Sequence, residues 1–283
     1  MVLRKSVFSG SWYPADQKAC EDQIHQFLEA GKNQSVSVAN PVGGIVPHAG
    51  WFFSGSIACN VIHRLARAAS PDVVVVFGMH LHSGSPRTIM PEGEWETPFG
   101  PIAVDTALAG ELTRRYTFQT ETPTRYQQDN TIELQMPFIR YFFKDARVVA
   151  MGVPPTAETL VLANSIVETT RKLGLSMVVI GSTDLTHYGP NYGLISKGTG
   201  PNAVDWVRNE NDRRVIDAMT RMNPEAVIRE GLSNENACCC GAAAAAIAVG
   251  KAMGAKKADK LVYATSYEKS PGDSFVGYVG MLF

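Results

Sequence analysis

The chain has 283 residues, of which 45% are hydrophobic and 19% charged, and its 26 basic and 27 acidic side chains give a net charge of −1. A charge this close to zero provides no general attraction to nucleic acid or anionic lipid, and the apolar fraction excludes intrinsic disorder. No apolar run approaches the ~18 residues needed to span a bilayer. Residues 1–5 lack the apolar stretch of a signal peptide, and five cysteines, three of them adjacent, do not form a disulfide framework. We therefore expect a cytoplasmic protein.

Short apolar runs alternate with longer helical patterns along the chain. Strands are predicted at 42–47, 72–78, 147–153, 176–181, 260–267 and 274–281, and helices at 54–69, 157–172, 207–222 and 240–253. The strand runs are continuously apolar rather than alternating, which indicates strands that are covered on both faces. The sequence therefore predicts a layered α/β fold in one domain over residues 1–283, with its longest loop at 188–203.

The common nucleotide-binding and hydrolase motifs have no support. Gly198, Gly200 and Ala203 match the spacing of a dinucleotide fingerprint, but no good strand precedes them and Pro201 lies inside the match. The sequence contains no phosphate-loop, zinc-protease, C-x-x-C or nucleophile-elbow motif. Any catalytic or binding site must therefore be formed by residues outside these motifs.

Four of the six histidines follow predicted strands, where open α/β sheets bind their ligands. His48 follows the first strand, His80 and His82 follow the second, and His187 follows the fourth. Asp184 lies three residues before His187 and is suited to orient an imidazole or to bind a cation. We expect these turns to converge on one crevice.

Three adjacent cysteines, Cys238, Cys239 and Cys240, directly precede an Ala-rich helix. A helix N-terminus lowers the pKa of a nearby thiol and so favours a thiolate ligand or nucleophile. At most one or two of three adjacent side chains can point into one site. Two imidazoles and one anionic ligand form a set that binds redox-active first-row metals, and either His82 or His80 can provide the second imidazole.

Seven motifs in order resemble the Memo family, also called AmmeMemoRadiSam system protein B. They are Arg4 with Gly10–Tyr13, Val46–Gly55, Trp95–Gly100, Thr131–Phe138, Ser182–Gly189, Cys240–Gly241 and Gly272–Tyr278. The resemblance covers nearly the whole chain. It implies a single Memo-like domain, a three-layer α/β/α sandwich similar to class III extradiol ring-cleaving dioxygenases, with a metal site at the strand ends.

The resemblance also implies a site of two histidines and one cysteine. His48 matches the family's Pro-His-Ala-Gly histidine, and Cys240 matches its cysteine before glycine. Asp184 and His187 match an Asp-x-x-His pair that is expected to serve in catalysis.

The chain departs from the family pattern in two places. The turn that carries the second histidine reads Gly-Met-His-Leu-His, and we expect His82 to be the ligand because the following Ser-Gly resembles the family's Thr-Gly; His80 is the alternative. Asn130 stands where the family has a pocket histidine, which removes an acid–base group from that position.

The function implied is a metal-binding protein with a dioxygenase-like, redox-active site that holds Fe(II) or, alternatively, copper. The alternative is a non-catalytic metal- or partner-binding module that retains the dioxygenase pocket, which Asn130 slightly favours. In prokaryotes the family is associated with an AMMECR-like protein and a radical SAM protein. The aromatics Trp12, Trp51 and Tyr188 adjoin the motifs and suit an aromatic or peptide ligand. A hydrolase with a cysteine nucleophile would leave the strand-end histidines without a role.

Overall fold

The computed structural model describes residues 2–283, which contain twelve strands and ten α-helices. The strands are β1 (Leu3–Arg4), β2 (Gly43–Val46), β3 (Val73–Gly78), β4 (Thr88–Ile89), β5 (Glu94–Trp95), β6 (Ile102–Ala103), β7 (Gln119–Thr120), β8 (Arg147–Gly152), β9 (Met177–Ser182), β10 (His187–Tyr188), β11 (Asp259–Thr265) and β12 (Phe275–Leu282). The helices are α1 (Gln17–Gly31), α2 (Ser56–Ala68), α3 (Thr106–Arg115), α4 (Asn130–Glu133), α5 (Met136–Phe142), α6 (Ala157–Lys172), α7 (Pro201–Trp206), α8 (Asp212–Thr220), α9 (Pro224–Asn234) and α10 (Cys240–Met253).

The large sheet has the strand order β10-β12-β2-β9-β3-β8-β4-β7, with β11 paired to β12. Its centre, β2-β9-β3-β8, is parallel. Strand β12 runs antiparallel to β2, and β4 runs antiparallel to β8 but parallel to β7. Strands β2, β3 and β9 are buried along their whole length. Their carboxyl ends lie side by side, so the turns that follow them meet at one edge of the sheet.

Helices cover both faces of this sheet. A Cβ on Gly44 would lie 2.6 Å from the Val61 side chain of α2, and a Cβ on Gly181 would lie 2.8 Å from Ala246 of α10. Ile45, the residue after Gly44, packs toward Gly181, so α2 and α10 lie on opposite faces, because successive strand residues point to opposite sides. The expected three-layer α/β/α sandwich is confirmed.

The long helices were predicted well and the shortest strands were not. The predicted bounds 157–172 and 240–253 coincide with α6 and α10. The helix predicted at 54–69 begins within a π-helical turn, Trp51–Gly55, that leads directly into α2. The helix predicted at 207–222 includes a second such turn, Val207–Asn211, that leads directly into α8. Two-residue strands such as β4 and β7 carry too little apolar pattern to be recognised.

The N-terminal motif has a structural role. The Arg4 guanidinium lies between the rings of Trp95 and Tyr126, 4.0 Å from each centroid, and forms a buried ion pair with Glu121. These contacts fix the start of the chain against the small sheet β1-β5-β6. No helix within residues 2–283 has the length and apolar character needed to cross a bilayer.

Candidate metal centre

Four side chains with metal-binding atoms meet at the carboxyl edge of the sheet. His48 follows β2, His80 follows β3, and the segment before α10 brings Cys238 and Cys239 to the same place. One ligand atom from each of the four lies within 4.8 Å of all the others. This cluster of two imidazoles and two thiols is the candidate metal centre.

His48 is buried and held at both its backbone and its ring. Its N–H donates to Asp184 Oδ1 at 2.7 Å, and its Nδ1 lies 3.0 Å from Ser182 Oγ. The Ser182 hydroxyl donates to the carbonyl of Thr131 at 2.7 Å, so its oxygen is left to accept a hydrogen bond from Nδ1–H. That arrangement leaves the Nε2 lone pair of His48 facing the cluster, as a metal-binding histidine requires.

His80 reaches the cluster because the residue before it has a left-handed backbone conformation. Met79 has φ 69° and donates its N–H to Thr131 Oγ1 at 2.7 Å, which turns the chain at the end of β3. The His80 ring packs edge-on to the His48 ring with centroids 5.0 Å apart, and its Nδ1 lies 3.7 Å from Asp129 Oδ2. Desolvation lowers the pKa of His80, but Asp129 and Cys238 outweigh it and raise the pKa to about 10.

Cys238 is the cysteine in contact with the histidines. Its N–H donates to the carbonyl of Asp184 at 3.1 Å, and its Sγ lies 3.3 Å from His48 Nε2. Burial raises the pKa of this thiol, but a hydrogen bond from Cys239 and the two imidazoles outweigh burial and hold the pKa well below its usual value. These contacts therefore favour the thiolate form of Cys238.

A buried polar network supports the turn after β9 and the cysteine segment. Asp212 accepts hydrogen bonds from the N–H of Thr186 at 3.0 Å and from the hydroxyl of Tyr263 at 2.8 Å. Asn211 donates to Thr186 Oγ1 at 3.0 Å, and Asn236 donates to the carbonyl of Asn211 at 2.9 Å. The network thereby connects the segment that carries Asp184 to the segment that carries the cysteines.

Two expected ligands, His82 and Cys240, lie outside the cluster. His82 is exposed, and its Nδ1 accepts a hydrogen bond from the N–H of Gly84 at 3.2 Å, so His80 takes its place in the cluster. Cys240 points away: a Cβ on Gly231 would lie 2.6 Å from Cys240 Sγ, because this sulfur packs against α9. Burial raises the pKa of Cys240 to about 11. Cys238 therefore occupies the position expected for Cys240.

The other expected residues border the cluster. Asp184 Oδ2 lies 3.9 Å from His48 Nε2, and burial raises the pKa of this carboxyl. His187 lines the cleft above the cluster, with Nδ1 3.1 Å from the carbonyl of Leu185. Asn130 donates its side-chain N–H to the carbonyl of His48 at 2.9 Å, so it braces the turn after β2.

The cluster opens into a cleft of about 610 Å³. Trp12, Phe52 and Tyr192 line it and are partly exposed to solvent, as a ring-binding rim would be. The other two aromatics singled out in the sequence pack in the interior: Trp51 stacks on Phe138 and Tyr188 stacks on Phe275. Of the aromatics expected at the site, only Trp12 reaches it.

Together, the fold and the cluster define a three-layer α/β/α protein with a group of histidines and cysteines, able to hold a metal ion, at the carboxyl edge of its sheet. A crystal structure of an uncharacterized protein from Escherichia coli K12 has the same overall fold, with a TM-score of 0.54, 13% identity, and coverage of 85% of this chain and 98% of that one.

The chain belongs to the Memo family, since the family described as Memo-like protein matches residues 4–282. It is 32% identical to a MEMO1 family protein of Pyrococcus furiosus over 290 residues, which cover 99% of each chain. It is 31% identical to a MEMO1 family protein of Pyrococcus horikoshii over 291 residues, again covering 99% of each chain. The family expected from the seven motifs is confirmed.

Proposed function

We propose that this protein binds one first-row transition metal ion, iron or copper, through His48, His80 and Cys238, and uses it in a redox reaction. The observation that carries the proposal is the convergence of these three donors, from three separate segments, at the carboxyl edge of the sheet. These side chains are polar and distant in sequence, so hydrophobic packing does not explain why they meet.

The donor atoms fit a metal in spacing and in chemistry. A metal bound at ~2.0–2.1 Å by imidazole and ~2.3 Å by thiolate holds these two donors ~3.5 Å apart in tetrahedral geometry. The distance from His48 Nε2 to Cys238 Sγ is 3.3 Å. A thiolate is a softer and more electron-donating ligand than a carboxylate, which suits copper and low-potential iron. When bound, such a metal supplies one-electron chemistry.

The residues around the donors would orient the ligands and move protons. Ser182 fixes the ring of His48, and Asp184 fixes its backbone. His187 lies in the wall of the cleft, and we assign it to proton transfer with a bound substrate. Asp184 lines the same cleft and would assist His187 in this role. The aromatic rim favours a small aromatic or peptide ligand.

A binding module without turnover is the second candidate, and Asn130 favours it. The family's pocket histidine would be an acid–base group here, whereas the Asn130 amide is committed to the carbonyl of His48. In that case the cleft would serve a partner, and an AMMECR-like protein and a radical SAM protein remain the partners we propose. Five unpaired thiols are consistent with a reducing cytoplasm, which we propose as the location.

The test is anaerobic loading of tag-free protein with Fe(II) or Cu(I), followed by metal analysis and O₂ consumption with catechol-type compounds. One equivalent of metal with sustained O₂ consumption and product supports the redox enzyme. One equivalent of metal without turnover supports the binding module. Failure to retain either metal in wild-type protein would contradict both.

A further inference from the structure

Cys239, the neighbour of Cys238, lies in the same cluster and has no role in the function proposed above. We propose that Cys239 is a fourth ligand, so that this chain holds its metal in a tetrahedral set of two imidazole nitrogens and two thiolate sulfurs. The inference rests on the proposed metal site at His48, His80 and Cys238 and specifies which metals that site prefers.

The sulfur–sulfur distance is the first argument. Two thiolates bound at ~2.3 Å to one tetrahedral ion lie ~3.8 Å apart, since that is the edge of the tetrahedron. Cys238 Sγ and Cys239 Sγ are 3.8 Å apart. Cys239 also belongs to the group whose four ligand atoms lie within 4.8 Å of one another, so the two imidazoles are in reach of the same ion.

The orientation of Cys239 is the second argument. It is the residue before α10, and its N–H donates to Thr183 Oγ1 at 3.1 Å, which fixes its backbone beside the turn after β9. Its side chain is buried, and within residues 2–283 the hydrogen-bond partner of its sulfur is Cys238 Sγ. The sulfur therefore faces the cluster.

Cys240 shows that this placement is not a general property of the triplet. Its sulfur packs against Gly231 of α9, outside the cluster, although it is adjacent in sequence and equally buried. The two cysteines before the helix point to the histidines, and the cysteine that begins the helix does not. Cys240 therefore provides a matched control.

A fourth ligand changes which metals the site selects. Two nitrogens and two sulfurs in a tetrahedron are the preferred set of Zn²⁺ and of soft Cu(I), whereas an oxygen-activating Fe(II) centre keeps several open positions. Between the two metals proposed above, the set favours copper over iron. It also leaves no vacant position for O₂ and a substrate unless a ligand is displaced.

The experiment uses Co²⁺ as a spectroscopic probe in anaerobic, fully reduced wild-type protein, with Cys239→Ala and Cys240→Ala compared side by side. Tetrahedral Co²⁺ gives intense visible bands, and each thiolate adds to the charge-transfer band in the near ultraviolet. We expect Cys239→Ala to lose roughly half of the charge-transfer intensity and to weaken Co²⁺ binding by roughly 100-fold, in line with the loss of one ligand of four. Cys240→Ala should keep the wild-type spectrum and affinity.

Other results would overturn either the fourth ligand alone or the whole metal site. If Cys238→Ala removes the charge-transfer band while Cys239→Ala retains wild-type intensity and affinity, the fourth ligand is wrong and the three-ligand site stands. If wild-type protein binds no Co²⁺, the proposed metal site fails and this inference fails with it. X-ray absorption on the wild-type Co²⁺ protein counts its sulfur ligands without any variant: two at ~2.3 Å support the inference, and one overturns it.

Discussion

The turns after β2 and β3 each bring one histidine to the cluster, but they hold it in opposite ways. His48 is 1% exposed, with its backbone bonded to Asp184 and its ring to Ser182. The side chain of His80 is 47% exposed, with the Asp129 carboxylate 3.7 Å away. A ring already fixed loses little conformational freedom when a metal binds, whereas a half-exposed ring must first be ordered. In the proposed metal site, His48 therefore sets the position of the metal, and His80 completes the ligand set.

Replacement of the fixed ring should have the largest effect. We expect His48→Ala to weaken metal binding by at least ~100-fold, because it removes a preorganised ligand and leaves Ser182 and Cys238 without their partner. Competition with a chromophoric chelator measures the affinity, and circular dichroism checks the fold. His82→Ala is the matched control because that ring is exposed and outside the cluster. An affinity within twofold of wild type for His48→Ala would remove this residue from the site.

Replacement of the half-exposed ring should cost less. We expect His80→Ala to weaken metal binding by roughly 30-fold, about 2 kcal/mol, because part of the gain from this ligand is offset by the cost of ordering it. The same chelator competition applies, again beside His82→Ala. If His82→Ala loses more affinity than His80→Ala, then His82 and not His80 is the ligand from the turn after β3.

The buried carboxyl of Asp212 should make the free energy of unfolding depend on pH. Burial raises the pKa of Asp212 to about 7, and this carboxyl accepts the N–H of Thr186 in the segment that carries Asp184. Its unfolded pKa is ~3.9, so the unfolded state binds fewer protons than the native state between these values. The free energy of unfolding should therefore fall as the pH rises through this window, by about 2 kcal/mol between pH 5.5 and pH 8, and level off above pH 8.

The variant Asp212→Asn isolates this contribution. An amide can still accept from Thr186 and can donate to Tyr263, but it does not titrate. Urea unfolding of wild type and variant at several pH values measures the difference. Parallel pH profiles for the two proteins would mean that Asp212 is ionised in the native state throughout.

The smallest change should come from the hydroxyl that orients His48. We expect Ser182→Ala to weaken metal binding by about tenfold, since groups that orient a ligand contribute less than the ligand itself. Ser270→Ala, which alters the cleft wall away from the cluster, should leave the affinity unchanged. Equal affinities for wild type and Ser182→Ala would mean that packing alone orients the imidazole.

The sequence predicted the layers and the edge of the sheet where the site lies, but not every side chain that enters it. Continuous apolar strands and the position of His48 directly after one of them were sufficient for the edge. The choice between His80 and His82 depends on the left-handed conformation of Met79, a non-glycine residue for which the sequence gives no signal. Motif similarity alone therefore favoured His82, which lies outside the cluster.

The cysteine triplet shows the same limit. The family resemblance pointed to Cys240, yet the thiol with the lowered pKa is Cys238, two residues before the helix begins. Its position depends on the carbonyl of Asp184 and on the Asn211–Asn236 hydrogen bond, which join segments that are far apart in sequence. Such long-range hydrogen bonds to backbone carbonyls leave no periodic pattern in the sequence.

The most direct test of the central claim is an anomalous difference map from crystals of anaerobically metal-loaded protein, measured at the absorption edge of the metal. We expect one strong peak within ~2.0–2.4 Å of His48 Nε2, a ring nitrogen of His80 and Cys238 Sγ. A peak that lies beside His82 or Cys240 instead, or a stoichiometric metal that avoids all three predicted donors, would contradict it.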